Sequence, residues 1–80
     1  MKRIGLREYI KWQISTNEGI KASTLLALCA TEFIEIQMLD IKQELLDMIQ
    51  DKEFIEIEYI LNGKSKSFFL PVGTEIRIVR

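Results

Sequence analysis

The sequence predicts an α+β domain in which three helices precede a C-terminal antiparallel β-hairpin or small β-sheet. Three observations carry that prediction. From Ile34 to Gln50 apolar side chains return with the period of a helix, and from Phe54 to Leu61 they alternate with the period of a strand. The strand then runs directly into Asn62-Gly63, a dipeptide suited to a two-residue hairpin loop whose central positions both need positive φ.

The first helix is expected over about residues 6–15, with Leu6, Tyr9, Ile10, Gln13 and Ile14 on one side and Arg7, Glu8 and Lys11 pointing away. Trp12 lies at the margin of that arc, at the edge of the core, with an exposed partner anchor as the alternative. Ser15-Thr16-Asn17-Glu18-Gly19 is a break rich in turn-forming side chains, and Gly19–Ala22 reads as a short extended segment. Ser23 is the expected N-cap of a second helix over about 23–30, and Thr31 the cap candidate for a third over about 35–51. In the third helix Met38, Ile41, Leu45, Met48 and Ile49 define a core face that Leu39 and Leu46 broaden. So wide an arc predicts a helix packed against two other elements and suits a membrane-surface helix poorly.

Strands are expected over about 54–61, 65–70 and 75–79. A two-residue turn at Asn62-Gly63 sets Leu61 opposite Lys64, Tyr59 opposite Lys66, Ile57 opposite Phe68 and Ile55 opposite Leu70. Ile55, Ile57, Phe68 and Leu70 then form the expected core face, which becomes Tyr59, Leu61, Lys64 and Lys66 near the tip. Pro71 closes the second strand and Gly73-Thr74 turns into the last, whose Ile76 and Ile78 would fold against the core. The free edge of that last strand would join a second copy of the chain or a partner strand.

Residues 1–80 make one domain with little room for a second core. The chain is 48% hydrophobic and 29% charged, enough apolar surface to offset ordering entropy, which argues against disorder. A net charge of −1 argues against a general nucleic-acid binder, although the charge is unevenly spread. Lys2, Arg3, Arg7 and Lys11 make the N-terminus basic, and Lys64, Lys66, Arg77 and Arg80 do the same for the C-terminal third. Between residues 31 and 58 nine acids face only Lys42 and Lys52. The single cysteine, Cys29, sits in an apolar run and reads as a small buried hydrophobe in a reducing compartment. The expected location is intracellular, cytoplasmic or nuclear, with no signal peptide and no membrane span.

No histidine, Gly-rich phosphate loop or base beside Cys29 supports catalysis, and neither a cofactor nor a metal is expected. Two surfaces remain as candidates. Asp40, Glu44, Asp47 and Asp51 fall within roughly 60° of arc on the third helix. They read either as a solvated face or as a docking surface for a protein with a basic surface, and they would repel a phosphate backbone. At the hairpin tip Lys64 and Lys66 beside Tyr59 and Leu61 could contact phosphates. The plainer reading is that they solubilise the turn. Lys2, Arg3, Arg7 and Lys11 would extend the basic surface.

Ile20-Lys21-Ala22-Ser23-Thr24-Leu25-Leu26-Ala27-Leu28 and the run from Leu45 to Ile55 resemble the winged helix-turn-helix superfamily, as the strand with its second helix and as the third helix entering the wing. The resemblance is one of pattern and singles out no subfamily. This chain departs from it at Thr31-Glu32-Phe33-Ile34, which is not a polar, Gly-containing turn. Its third helix also lacks the Arg, Lys, Ser and Asn residues used in base reading. By resemblance, winged helices with acidic third helices look like protein-docking modules. The expectation is therefore a non-enzymatic adaptor or regulator acting through protein contacts. The alternatives are a DNA- or RNA-associated transcriptional regulator that makes weak contact through the wing and N-terminus, and an acidic nucleic-acid mimic using Glu56 and Glu58 as a second row.

Overall fold

A computed structural model describes residues 5–74. The chain forms α1 (Leu6–Thr16), β1 (Ile20–Lys21), α2 (Ala22–Glu32), α3 (Met38–Gln50), β2 (Phe54–Leu61) and β3 (Lys64–Pro71). The strands make one antiparallel sheet in the order β1-β3-β2, with the three helices packed on one face of its base. The α+β class and the hairpin are as the sequence predicts. The strand expected at 75–79, with its free edge, lies outside the described residues, as do Lys2 and Arg3. The third strand of the described sheet is instead β1, the extended segment before α2, pairing Ile20 with Phe69 and Lys21 with Phe68.

The helix boundaries differ from the expected ones for local reasons. Neither Ser23 nor Thr31 caps a helix. Lys21 occupies the N-cap position of α2, which places Ser23 inside the first turn, and Thr31 lies in the last turn of α2 with its hydroxyl donating to the Ala27 carbonyl. Residues 33–37 are a loop plugged by buried Phe33, so α3 starts at Met38. Phe33 meets Tyr9 of α1 edge-on, with ring centroids 5.3 Å apart.

Helices α1 and α3 end alike. After the C-cap, Glu18 and Lys52 adopt positive φ of 53° and 60°. The following amides, Gly19 and Glu53, reach back to the carbonyls of Ile14 and Met48, closing Schellman turns that satisfy otherwise orphaned groups. Only three residues separate α3 from β2, so Phe54 enters the sheet directly beneath the helices. Its ring lies 4.7 Å from that of Phe69. These two, with Ile20, Ile10, Ile14, Leu25, Cys29, Ile41, Leu45 and Met48, make the core.

The hairpin register agrees residue for residue with the sequence expectation, from Ile55 opposite Leu70 to Leu61 opposite Lys64, and Asn62 and Gly63 take φ of 54° and 76° as such a turn requires. Its facing is the reverse. Phe54 and Phe69 turn inward, while Ile55, Ile57, Phe68 and Leu70 lie half-buried on the opposite face. Register and facing are separate constraints, and the burial of Phe54 and Phe69 beneath the helices decides the second one.

Gly19 sits against this outer face at φ +116°, where an added Cβ would lie 2.7 Å from both Phe68 and Leu70 side-chain atoms. Gly19→Ala should therefore destabilise the fold by roughly 1–3 kcal/mol from the backbone alone, and further through the displaced ring. Lys52→Gly, by contrast, removes left-handed strain at an exposed position and should stabilise by up to about 1 kcal/mol. Urea unfolding midpoints that shift in opposite directions check this pair.

Candidate functional site

Helix α3 presents two different flanks on either side of its buried row Ile41, Leu45 and Met48. The acidic flank adjoins α1. There the Arg7 guanidinium donates from Nε to Glu44 Oε1 at 2.6 Å and from Nη1 to Asp51 Oδ2 at 3.1 Å. Hydrogen bonding to Glu44 first, and then to Asp51, raises the Arg7 pKa above its ordinary value. Lys11 Nζ lies 3.5 Å from Glu53 Oε2. Asp47 accepts from Gln43 Nε2 at 3.0 Å, and Asp40 is exposed near the helix start.

The structure thus brings two of the four acids proposed for docking together with one of the cations proposed for nucleic-acid contact. Arg7, Glu44 and Asp51 are thereby engaged in joining α1 to α3. Lys64 and Lys66 stand exposed at the hairpin tip beside Tyr59, far along the chain from Arg7 and Lys11, and no ion pair engages them among the described residues.

The other flank of α3 is apolar and open. Leu39 and Leu46, expected to broaden the core face, are 76% and 60% exposed, because no second element covers this side among the described residues. A groove of about 270 Å³ runs between this flank, α2 and the sheet, lined by Leu26, Lys42, Leu45, Leu46, Ile49, Glu56 and Phe69. Its floor continues along the helix-facing side of β2, where Phe54 is followed by Glu56, Glu58 and Ile60. All three are exposed, Ile60 to 78%. The helices cover only the base of the hairpin, so these residues face the helical side with nothing above them among the described residues.

In the sequence Leu39 and Leu46 stand out but read as interior, and Glu56 and Glu58 read as the solvent side of the strand. The signal available was the excess width of the apolar arc, more than two neighbouring elements can cover in so small a domain.

Trp12 is also exposed rather than at the core margin, its ring 6.2 Å from that of Tyr9. Among the described residues no cluster of three or more His, Cys, Asp or Glu side chains gathers to hold a metal. No described helix is long and apolar enough to cross a membrane. No family model, curated protein or solved structure matches this chain.

Cys29 is fully buried in α2, and burial pushes its thiol up to about 11. A raised folded-state value means that the neutral thiol's contribution to stability is complete below the ordinary thiol pKa and is lost as pH rises through about 11. At pH 8 the native protein should resist a maleimide or aromatic disulfide reagent, and modification should proceed only at the rate of unfolding. Stoichiometric reaction within the mixing time would contradict this placement.

Proposed function

We propose that this chain is a small, non-enzymatic, winged-helix-like adaptor or regulator, cytoplasmic or nuclear, that works through protein contacts. Its element order, with a short strand between the first two helices and a hairpin after the third, supports the winged-helix comparison. The observation that carries the contact reading is the open apolar flank of α3, Leu39 and Leu46 above all, beside Glu56 and Glu58 on the hairpin. Solvent-exposed leucines grouped on one helix and adjoining a groove are what a partner surface buries. Carboxylates beside them that no ion pair engages among the described residues favour a partner bearing Lys or Arg, which adds steering and specificity. Relative to the acidic stripe alone, docking shifts to the opposite flank of α3, since Glu44 and Asp51 are engaged by Arg7.

The exposed lysines at the wing support a second reading, weak nucleic-acid contact through Lys64 and Lys66. Arg7 and Lys11 contribute less to it than their sequence positions suggest, being paired with carboxylates.

A photo-crosslinking residue at position 46 tests the first reading in an extract of the source cell, with one at the equally exposed Trp12 position as control. Specific protein adducts are expected from position 46, and their loss is expected on Glu56→Lys. A duplex titration tests the second. Binding should be weak, and the double change Lys64→Ala, Lys66→Ala should flatten its salt dependence by up to about two phosphate contacts. Tight, sequence-specific duplex binding that survives the double change, with no protein adduct, would overturn the adaptor reading.

A further inference from the structure

The helical layer stops short of the sheet it covers. Phe54 and Phe69 are buried beneath the helices, whereas Glu56, Glu58 and Ile60 on the same face of β2 are exposed. From Glu56 to Ile60 this bare floor runs about 13 Å, at the usual rise of a strand. Beside it α3 supplies a wall of Leu46 and Ile49, and exposed Leu39 lies about two turns before Leu46 on the same flank, so that the three span about 15 Å of helix axis. Neighbouring helices pack about 8–10 Å apart. The corner between wall and floor is therefore the next position in the helical layer, vacant among the described residues.

Its chemistry is equally particular. The wall is apolar, the floor carries Glu56 and Glu58, and neither is engaged by an ion pair among the described residues. Lys42 is the one cation among the residues lining the groove.

We propose that this corner receives an amphipathic helix of about three turns from a protein partner. Its apolar side would lie against Leu39, Leu46 and Ile49, and its Lys or Arg residues against Glu56 and Glu58. The inference rests on the protein-contact reading above and names the form of the partner. An extended segment suits the corner less well, because added strands pair with a sheet's edge and would leave the α3 leucines bare. A second copy of the chain is a poor occupant. Helix α2 holds no Lys or Arg, α3 holds only Lys42, and the cations of α1 are paired with Glu44, Asp51 and Glu53.

The test uses the full chain and a fluorescent, end-capped 14-residue peptide with Leu at positions i, i+3, i+4 and i+7 and Lys along the flanks. Two controls share its length: a scrambled order, and a version with Glu replacing Lys. The Lys peptide should bind, with amide shifts centred on Leu46, Ile49, Glu56, Glu58 and Ile60. Both controls should bind at least tenfold more weakly. Leu46→Glu should abolish binding. The double change Glu56→Lys, Glu58→Lys should reverse the preference in favour of the Glu peptide, a readout that loss of folding cannot imitate.

Equal binding of the scrambled peptide, shifts centred on Asp40 and Asp47, or no binding at millimolar peptide would overturn the proposal. So would concentration-dependent self-association that moves the same amides without peptide. If position 46 crosslinks to a protein while no helical peptide binds, the helix proposal fails and the contact reading stands. Absence of both defeats the contact reading itself.

Discussion

The Phe54–Phe69 pair determines what every other part of the sheet faces. The two rings, 4.7 Å apart, lock the base of the hairpin beneath the helices. Because side chains alternate along a strand, that choice dictates the orientation of each residue out to the tip. Once Phe54 points inward, Glu56, Glu58 and Ile60 must share its side, and Ile55, Ile57 and Tyr59 must take the other. Losing the pair would cost more than two aromatic side chains, since the core includes Ile20, held in register opposite Phe69 through β1. The acidic floor beneath the open groove is thus a consequence of core packing at the sheet's other end.

Helix α3 couples this arrangement to electrostatics. Its buried row separates an acidic flank, where Arg7 engages Glu44 and Asp51, from an apolar flank left open among the described residues. The ion pairs are partly exposed and hold α1 and α3 in place with little net stabilisation of their own. Hydrophobic burial does most of the work of holding the domain together, and the exposed leucines lie outside it. An apolar surface left open on a small chain that could have used it in its core is a local inconsistency of the kind that accompanies function.

Much of this was legible in the residues. The helical period of α3, the strand period of β2 and the Asn62-Gly63 turn are local signals, and they located those elements and the hairpin register. Caps were read poorly, because Ser23 and Thr31 have capping chemistry while the backbone turns elsewhere, at Lys21 and Gln37. The sheet's facing could not be read from alternation, which is equally regular for either side. In the pattern Ile55-Glu56-Ile57-Glu58 the isoleucines look like the buried partners, and the burial of Phe54 against Phe69 beneath the helices overrides that. The acidic stripe is visible, but not its engagement with Arg7, because Glu44 lies 37 positions along the chain from Arg7. The groove required both facts together.

The sidedness of the hairpin is the claim on which the groove, its acidic floor and its proposed occupant all stand. Nuclear Overhauser contacts from the two adjacent phenylalanine rings of β3 test it most directly. Phe69 ring protons should show contacts to the methyl groups of Leu26 and Leu45, which line the groove with it, while Phe68 ring protons show none to either leucine. The opposite pattern, with Phe68 reaching the helices and Phe69 silent, would turn the sheet over and contradict the account.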